Sequence, residues 1–352
     1  MNSLGCLTQE FELGLGSDKL VRRLLQMGPD ETLVISADTE SDLRVVTATA
    51  RAAYSVGARP LVVWTATPPA SGKAGEVTWP VGALTALLKE ADAWVEFNRM
   101  PLLYSRIYDT AVRDNPALRH LCLPGMYTDL MTRCIAMVDY EALQEFLREV
   151  ANITHAAEHM RITTPAGGDV EFDNNPEWPV ICEAGDASKP GSHMLPGQVG
   201  WSPVFESING TIVFDGSVSK VLGLGRLVEP IELHVEKGTI TAVEGGKEAR
   251  TYEKWLQGFN DPQMLRMAHV CWGFHPNASL SGVVLEDERV WGATEWGIGN
   301  VGPMLVPGGI DGPSHSDGIC LDSSVWVDGE RIMDRGNVVY PPLVELARKL
   351  GK

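Results

Sequence analysis

The chain has 352 residues, 44% hydrophobic and 21% charged, with 29 basic against 46 acidic residues and a formal net charge of -17. That length supports two domains with separate cores, and the composition is that of an ordinary globular protein. The acidic balance argues against nucleic acid and anionic membrane surfaces as partners; with no run of roughly 18 apolar residues and no basic-then-apolar leader pattern, a cytoplasmic protein is expected.

In chain order, the first 160 residues alternate extended and helical signals. Thr32 to Ser36 is a β-branched apolar run, followed by Asp38 and Ser41 as candidate N-caps and a predicted helix over Leu43 to Val56 that ends at Gly57. Strands are predicted at Pro60 to Trp64, Ala93 to Phe97 and Leu118 to Leu123, with helices over Val81 to Glu90 and Leu103 to Arg113 between them. Short strands separated by helices make βαβ units and a mostly parallel sheet. Gly14-Leu15-Gly16 follows no strand and lacks a third glycine, and no GxxxxGK[ST] occurs, so neither phosphate-binding motif is present. A helix from Asp139 to about His159, with Leu143, Phe146, Leu147, Val150 and Ile153 at helical spacing, is expected to close this domain. It would carry His155 and His159 on one face.

From Arg161 onward turn signals multiply: Ala166-Gly167-Gly168-Asp169, Asn209-Gly210, Gly238, Gly245-Gly246 and Asp328-Gly329. The expectation is an α/β Rossmann-like domain over residues 1–160 and a β-rich, antiparallel α+β domain over 161–352. One helix is placed near Asp261 to His269. Six cysteines, at positions 6, 122, 134, 182, 271 and 320, form no CxxC pair, so no zinc ribbon and no disulfide framework is expected.

The candidate chemistry sits in the second half. After the Gly312-Pro313 break, Ser314-His315-Ser316-Asp317 reads as a strand, in which His315 and Asp317 share a face at i and i+2. His269, in Met267-Ala268-His269-Val270-Cys271-Trp272-Gly273, is either a hydrogen-bonded core residue or a metal ligand, because an unpaired imidazole there is costly. Glu295 lies between Trp291 and Trp296; it needs a salt bridge, for instance to Arg289, or a metal. Glu183 and His193 fall in loop-like stretches where binding residues concentrate. Gln198 completes the set.

The order PAGGDVEF, then Leu195-Pro196-Gly197-Gln198-Val199, then Ser207-Ile208-Asn209-Gly210-Thr211-Ile212, then AHVCWGFHP and finally HSD resembles one superfamily over essentially the whole chain. It joins metalloaminopeptidases of the aminopeptidase T type with iron-dependent 2,5-dihydroxypyridine 5,6-dioxygenases. The resemblance implies that His269, His315 and Asp317 are the metal ligands, a two-histidine, one-carboxylate set suited to non-haem Fe(II). The peptidases have glutamates where His269 and Gln198 stand, which disfavours a two-metal peptidase site here. The activity implied is ring cleavage of a hydroxypyridine with O2. Glu183 and His193 would serve acid–base and positioning work, Gln198 and Trp272 would contact substrate, and Trp291 and Trp296 would help wall the pocket. A homo-oligomer is also implied. Glu295 departs from the dioxygenase pattern and keeps a second reading open: a mononuclear hydrolase of an amide or ring lactam, using zinc or manganese, with Glu295 as base or ligand.

Overall fold

The computed structural model of the chain describes residues 3–352, and side chains from residue 9 on; Cys6 lies outside the described side chains. The chain divides into two compact units, one comprising residues up to Val138 with Gly185–Leu195, the other Asp139–Ala184 with Pro196–Lys352.

In the first unit, strands Thr32–Asp38, Arg59–Thr65, Ala93–Glu96 and Arg119–Cys122 form a wholly parallel sheet, which Gly191–His193 extends at one edge. The intervening helices are Leu43–Ser55, Val81–Lys89 and Arg106–Asp114. The first of these is capped by Asp42, whose carboxylate accepts from Arg44 N, rather than by Asp38 or Ser41. Leu84, Leu88, Trp94, Leu102 and Ile107 make the core between sheet and helices. The N-terminal helix Ser3–Lys19 lies outside the predicted elements.

The second unit opens with helix Tyr140–Ala156, which the Asp139 carboxylate caps by accepting from Glu141 N and Ala142 N. This helix therefore belongs to the second unit by its contacts, ahead of the boundary expected near residue 160. His159 is not on it: that residue starts the strand His159–Thr163 and pairs with Asp173 at 2.8 Å, so the two histidines share no helical face. An eight-stranded antiparallel sheet and a five-stranded antiparallel sheet follow. In the larger one, Lys237-Gly238, Asp328-Gly329 and Arg335-Gly336 make two-residue hairpin turns, all six residues with positive φ, as the right-handed strand twist prefers. The smaller sheet runs in the order Ile310–Cys320, Thr294–Val301, Met267–Gly273, Gln198–Trp201, Val180–Glu183.

Two expectations are corrected in this sheet. Residues 261–269 are not one helix. Asp261 caps only a short 3-10 turn at Pro262–Leu265, the true helix is Lys247–Gly258 with Tyr252 and Leu256 buried, and Met267–Gly273 is a strand. Gly312-Pro313 is not a break either: the strand runs through it from Ile310, because it is an edge strand where a missing N–H costs nothing. Phe172 packs edge-on against Trp296, with ring centroids 5.5 Å apart, where the two sheets meet. Gly318 is a glycine because Phe214 fills the space above it, with ring atoms 2.2 Å from where a Cβ would stand.

Candidate metal centre

Register builds the site. His269 pairs with Gly297 and Gly297 with Asp317, while Cys271 pairs with Glu295 and Gly200, and Glu183 with Gln198. Cross-strand partners share a face, as do i and i+2. Glu183, Gln198, His269, Cys271, Glu295, His315 and Asp317 therefore come from five strands onto one face. The opposite face carries Val270, Trp272 and Trp296.

Local irregularities tune this face. A bulge between Met267 and His269 re-aims the imidazole, and another between Gly299 and Val301 lies beside His315. Gly297 sits between His269 and Asp317, and its missing side chain is required: a Cβ there would lie 2.3 Å from His269 Cε1.

One nitrogen each of His269 and His315 and one oxygen of Asp317 lie within 4.8 Å of one another. His315 Nδ1 donates to the carbonyl of Asn300 at 2.7 Å, which leaves Nε2 with its lone pair 2.6 Å from Asp317 Oδ1. A carbonyl behind an imidazole in this way fixes the tautomer of metal-binding histidines. Two lone-pair atoms that close need a cation or a proton between them. The other oxygen of Asp317 accepts from Ser219 Oγ at 2.8 Å and lies 3.6 Å from Lys220 Nζ. His269 Nε2 lies 3.0 Å from Glu295 Oε1 and 3.8 Å from Asp317 Oδ1, and its Nδ1 is buried without a hydrogen-bond partner. Gln198 Nε2 donates to Glu295 Oε2 at 3.4 Å.

The electrostatics have one theme. Burial alone would lower the pKa of His269, but the Glu295 carboxylate, with Asp317 behind it, lifts it to about 9. Burial would raise Asp317, yet His315 and Lys220 hold it well below the usual carboxylate range. Burial and the charge of Asp317 push Glu288 up to about 8. Burial also lowers His315. The face thus collects carboxylates around a spot that wants positive charge, and a proton on His269 supplies it in the protein alone. Side-chain exposures of 13% for His269 and 20% for His315 leave the spot within reach of a small ligand. The residues present fit a divalent cation held by nitrogen and oxygen donors.

The remaining predicted residues separate. Glu183 is on the shared face, on the far edge strand. His193 belongs to the first unit, on its short edge strand, with Nε2 3.0 Å from the carbonyl of Lys189. Trp272 is on the opposite face, 1% exposed, donating from Nε1 to Thr154 Oγ1 at 3.0 Å; it is core, and substrate contact is corrected. Trp296 packs on Phe172, and Trp291 on Phe146 and Phe274, so neither walls a pocket on the polar face. Sequence reasoning missed Glu288, Ser219 and Lys220. Glu288 was hidden in the Glu286-Asp287-Glu288-Arg289 run, which reads as a solvated face, and Ser219-Lys220 carries no signal until the fold brings it to Asp317.

The chain is 28% identical over 194 residues to the 2,5-dihydroxypyridine 5,6-dioxygenase of Pseudomonas putida, a match covering 53% of this chain and 55% of that protein; the matched stretch thus spans about half the length of this curated relative. Its fold is similar to the structure of 2,5-dihydroxypyridine dioxygenase from Pseudomonas putida KT2440, with TM-score 0.78, 21% identity and coverage of 95% of this chain and 99% of that one. It is also similar to wild-type AmpT from Thermus thermophilus, with TM-score 0.68, 17% identity and coverage of 94% and 99%. The family model described as 2,5-dihydroxypyridine 5,6-dioxygenase matches residues 19–340, and the chain belongs to that family.

Proposed function

We propose that the protein is an Fe(II)-dependent dioxygenase that opens a dihydroxylated pyridine ring, placing both atoms of O2 in the product. The observation that carries this reading is the pair His315 and Asp317, with Nδ1 of the histidine committed to Asn300 O and Nε2 facing the carboxylate. His269, His315 and Asp317 are the assigned ligands, and family membership supplies the substrate class. Iron, when bound, supplies the one-electron chemistry that couples an electron-rich ring to O2. Asn300 O fixes the His315 tautomer, Ser219 and Lys220 hold the outer oxygen of Asp317, and Glu295 steadies His269 on one side and Gln198 on the other. Gln198 is assigned to substrate orientation. Glu183 and His193 are assigned to moving the proton of a ring hydroxyl; for Glu183 the shared sheet face supports this, for His193 the family resemblance alone. A cytoplasmic homo-oligomer is part of the same reading.

The test is metal analysis of anaerobically purified protein with an oxygen-electrode trace on adding 2,5-dihydroxypyridine. Iron with substrate-dependent O2 uptake is expected, with both lost in His315→Ala. Turnover that proceeds without O2, on zinc or manganese, would replace the dioxygenase with the hydrolase reading and make Glu295→Gln the next variant.

A further inference from the structure

The first unit holds a second group of ligand-type side chains that the proposed reaction does not use. Glu96 at the end of one parallel strand and His120 and Cys122 on the next are buried, and one donor atom of each lies within 4.8 Å of the others. His120 Nε2 is 3.3 Å from Glu96 Oε2, and Cys122 Sγ is 3.4 Å from the same oxygen. Both contacts are hydrogen bonds in the protein alone, with the Cys122 thiol donating to the carboxylate. Both distances are near the ligand-to-ligand edge of a tetrahedral zinc site, roughly 3.3–3.6 Å for bonds of about 2.0–2.3 Å. Among the described residues no lysine or arginine forms an ion pair with Glu96; the side chain beside its carboxylate is the His120 imidazole.

The outer contacts are those a metal site needs. His120 Nδ1 is 3.0 Å from Ser192 Oγ, which in turn is 2.8 Å from Tyr108 OH. The imidazole stacks on Trp94 at 3.9 Å between centroids, and Leu102 N donates to the other oxygen of Glu96. Ring plane and carboxylate are each held from behind, and the Ser192 hydroxyl pairs with the outer imidazole nitrogen. A carboxylate and a thiolate together bring two negative charges, which a divalent cation offsets with a neutral imidazole as third donor. A sulfur, nitrogen and oxygen set favours a borderline cation over magnesium or calcium.

We propose that Glu96, His120 and Cys122 form a second site for a zinc-class divalent cation. Binding releases the Cys122 thiol proton to solvent as the sulfur–metal bond forms, and no oxidation or reduction is involved. No further His, Cys, Asp or Glu of the described residues joins the set, so a water completes the coordination, as in other three-ligand zinc sites. The site is independent of the dioxygenase reading.

Cobalt(II) is the probe, because thiolate coordination gives it a near-ultraviolet charge-transfer band. In the full chain with His315→Ala and Asp317→Ala together, one cobalt per chain and the band are expected to remain. Cys271→Ser, at the other thiol near a histidine, should leave the band, and Cys122→Ser should abolish it. No cobalt in the double variant, or a band that survives Cys122→Ser or disappears with Cys271→Ser, would overturn the proposal. Should Cys122→Ser fail to fold, the double variant with its cluster untouched still decides. Cobalt should slow alkylation of Cys122, mapped by mass spectrometry just below the urea midpoint, and an unchanged rate would refute the site.

Discussion

Gly297 shows how a residue with no side chain can define a site. It occupies the position between His269 and Asp317 on the strand that links theirs, and the imidazole lies where its Cβ would be. That strand is paired on both sides and cannot retreat, so Gly297→Ala should displace His269. The expected result is loss of bound iron together with a stability cost of about 1–3 kcal/mol for overpacking, read by metal analysis and urea unfolding; unchanged iron content would mean that His269 is not a ligand. His269 also makes a pH prediction. Its folded pKa, about 9, is above the ordinary 6.5, so the folded state binds the proton more tightly. This stabilisation is fully present below pH 6.5 and is lost as pH rises through about 9, a change on the order of a few kcal/mol. Asp317, held low, works the opposite way: its stabilisation is present above the ordinary carboxylate range and is lost only as pH falls into acid. Chelator-treated protein should therefore lose urea resistance across that alkaline window, and His269→Asn should flatten the profile. At this scale the sequence was legible where chemistry is local: His315 and Asp317 were readable from a period of two. Glu295 was readable as needing a partner, but His269 proved to be that partner, a pairing set by register.

At the scale of elements, the five-stranded sheet explains which tryptophans matter. Alternation puts Trp272 on the face away from His269 even though the two are close in sequence. Flanking aromatics in a strand cannot all face one pocket, and a stretch misjudged as helix hides this. The reason for the misjudgement is physical: Asp261-Pro262 is a genuine capping signal, but it starts one short turn only, while the real helix is announced by Ala249, Tyr252 and Leu256 at i, i+3 and i+7. Trp272→Phe should cost about 1–3 kcal/mol through the lost bond to Thr154 and the smaller ring. KM should stay at the wild-type value in O2-uptake kinetics. A raised KM with unchanged stability would return Trp272 to the pocket.

For the whole molecule, strand–helix alternation in the first half and glycine turns in the second announced the two architectures, because parallel and antiparallel sheets need different connections. The division between units was less legible. The chain leaves the second unit after Ala184 and re-enters it at Pro196, and a three-residue strand such as Gly191–His193 is too short to leave a periodic signal. A cation bound at His269, His315 and Asp317 touches the second unit alone, so mass action stabilises that unit, by about 2.7 kcal/mol at a hundredfold excess over Kd. Iron(II) added anaerobically to chelator-treated protein should raise the unfolding midpoint, and Asp317→Asn should abolish the rise, because it removes the charge that Ser219 and Lys220 hold in place. Calorimetry with and without iron measures both. An equal rise in Asp317→Asn would show that iron stabilises the fold elsewhere, and His269, His315 and Asp317 would then lose their assignment as the iron ligands.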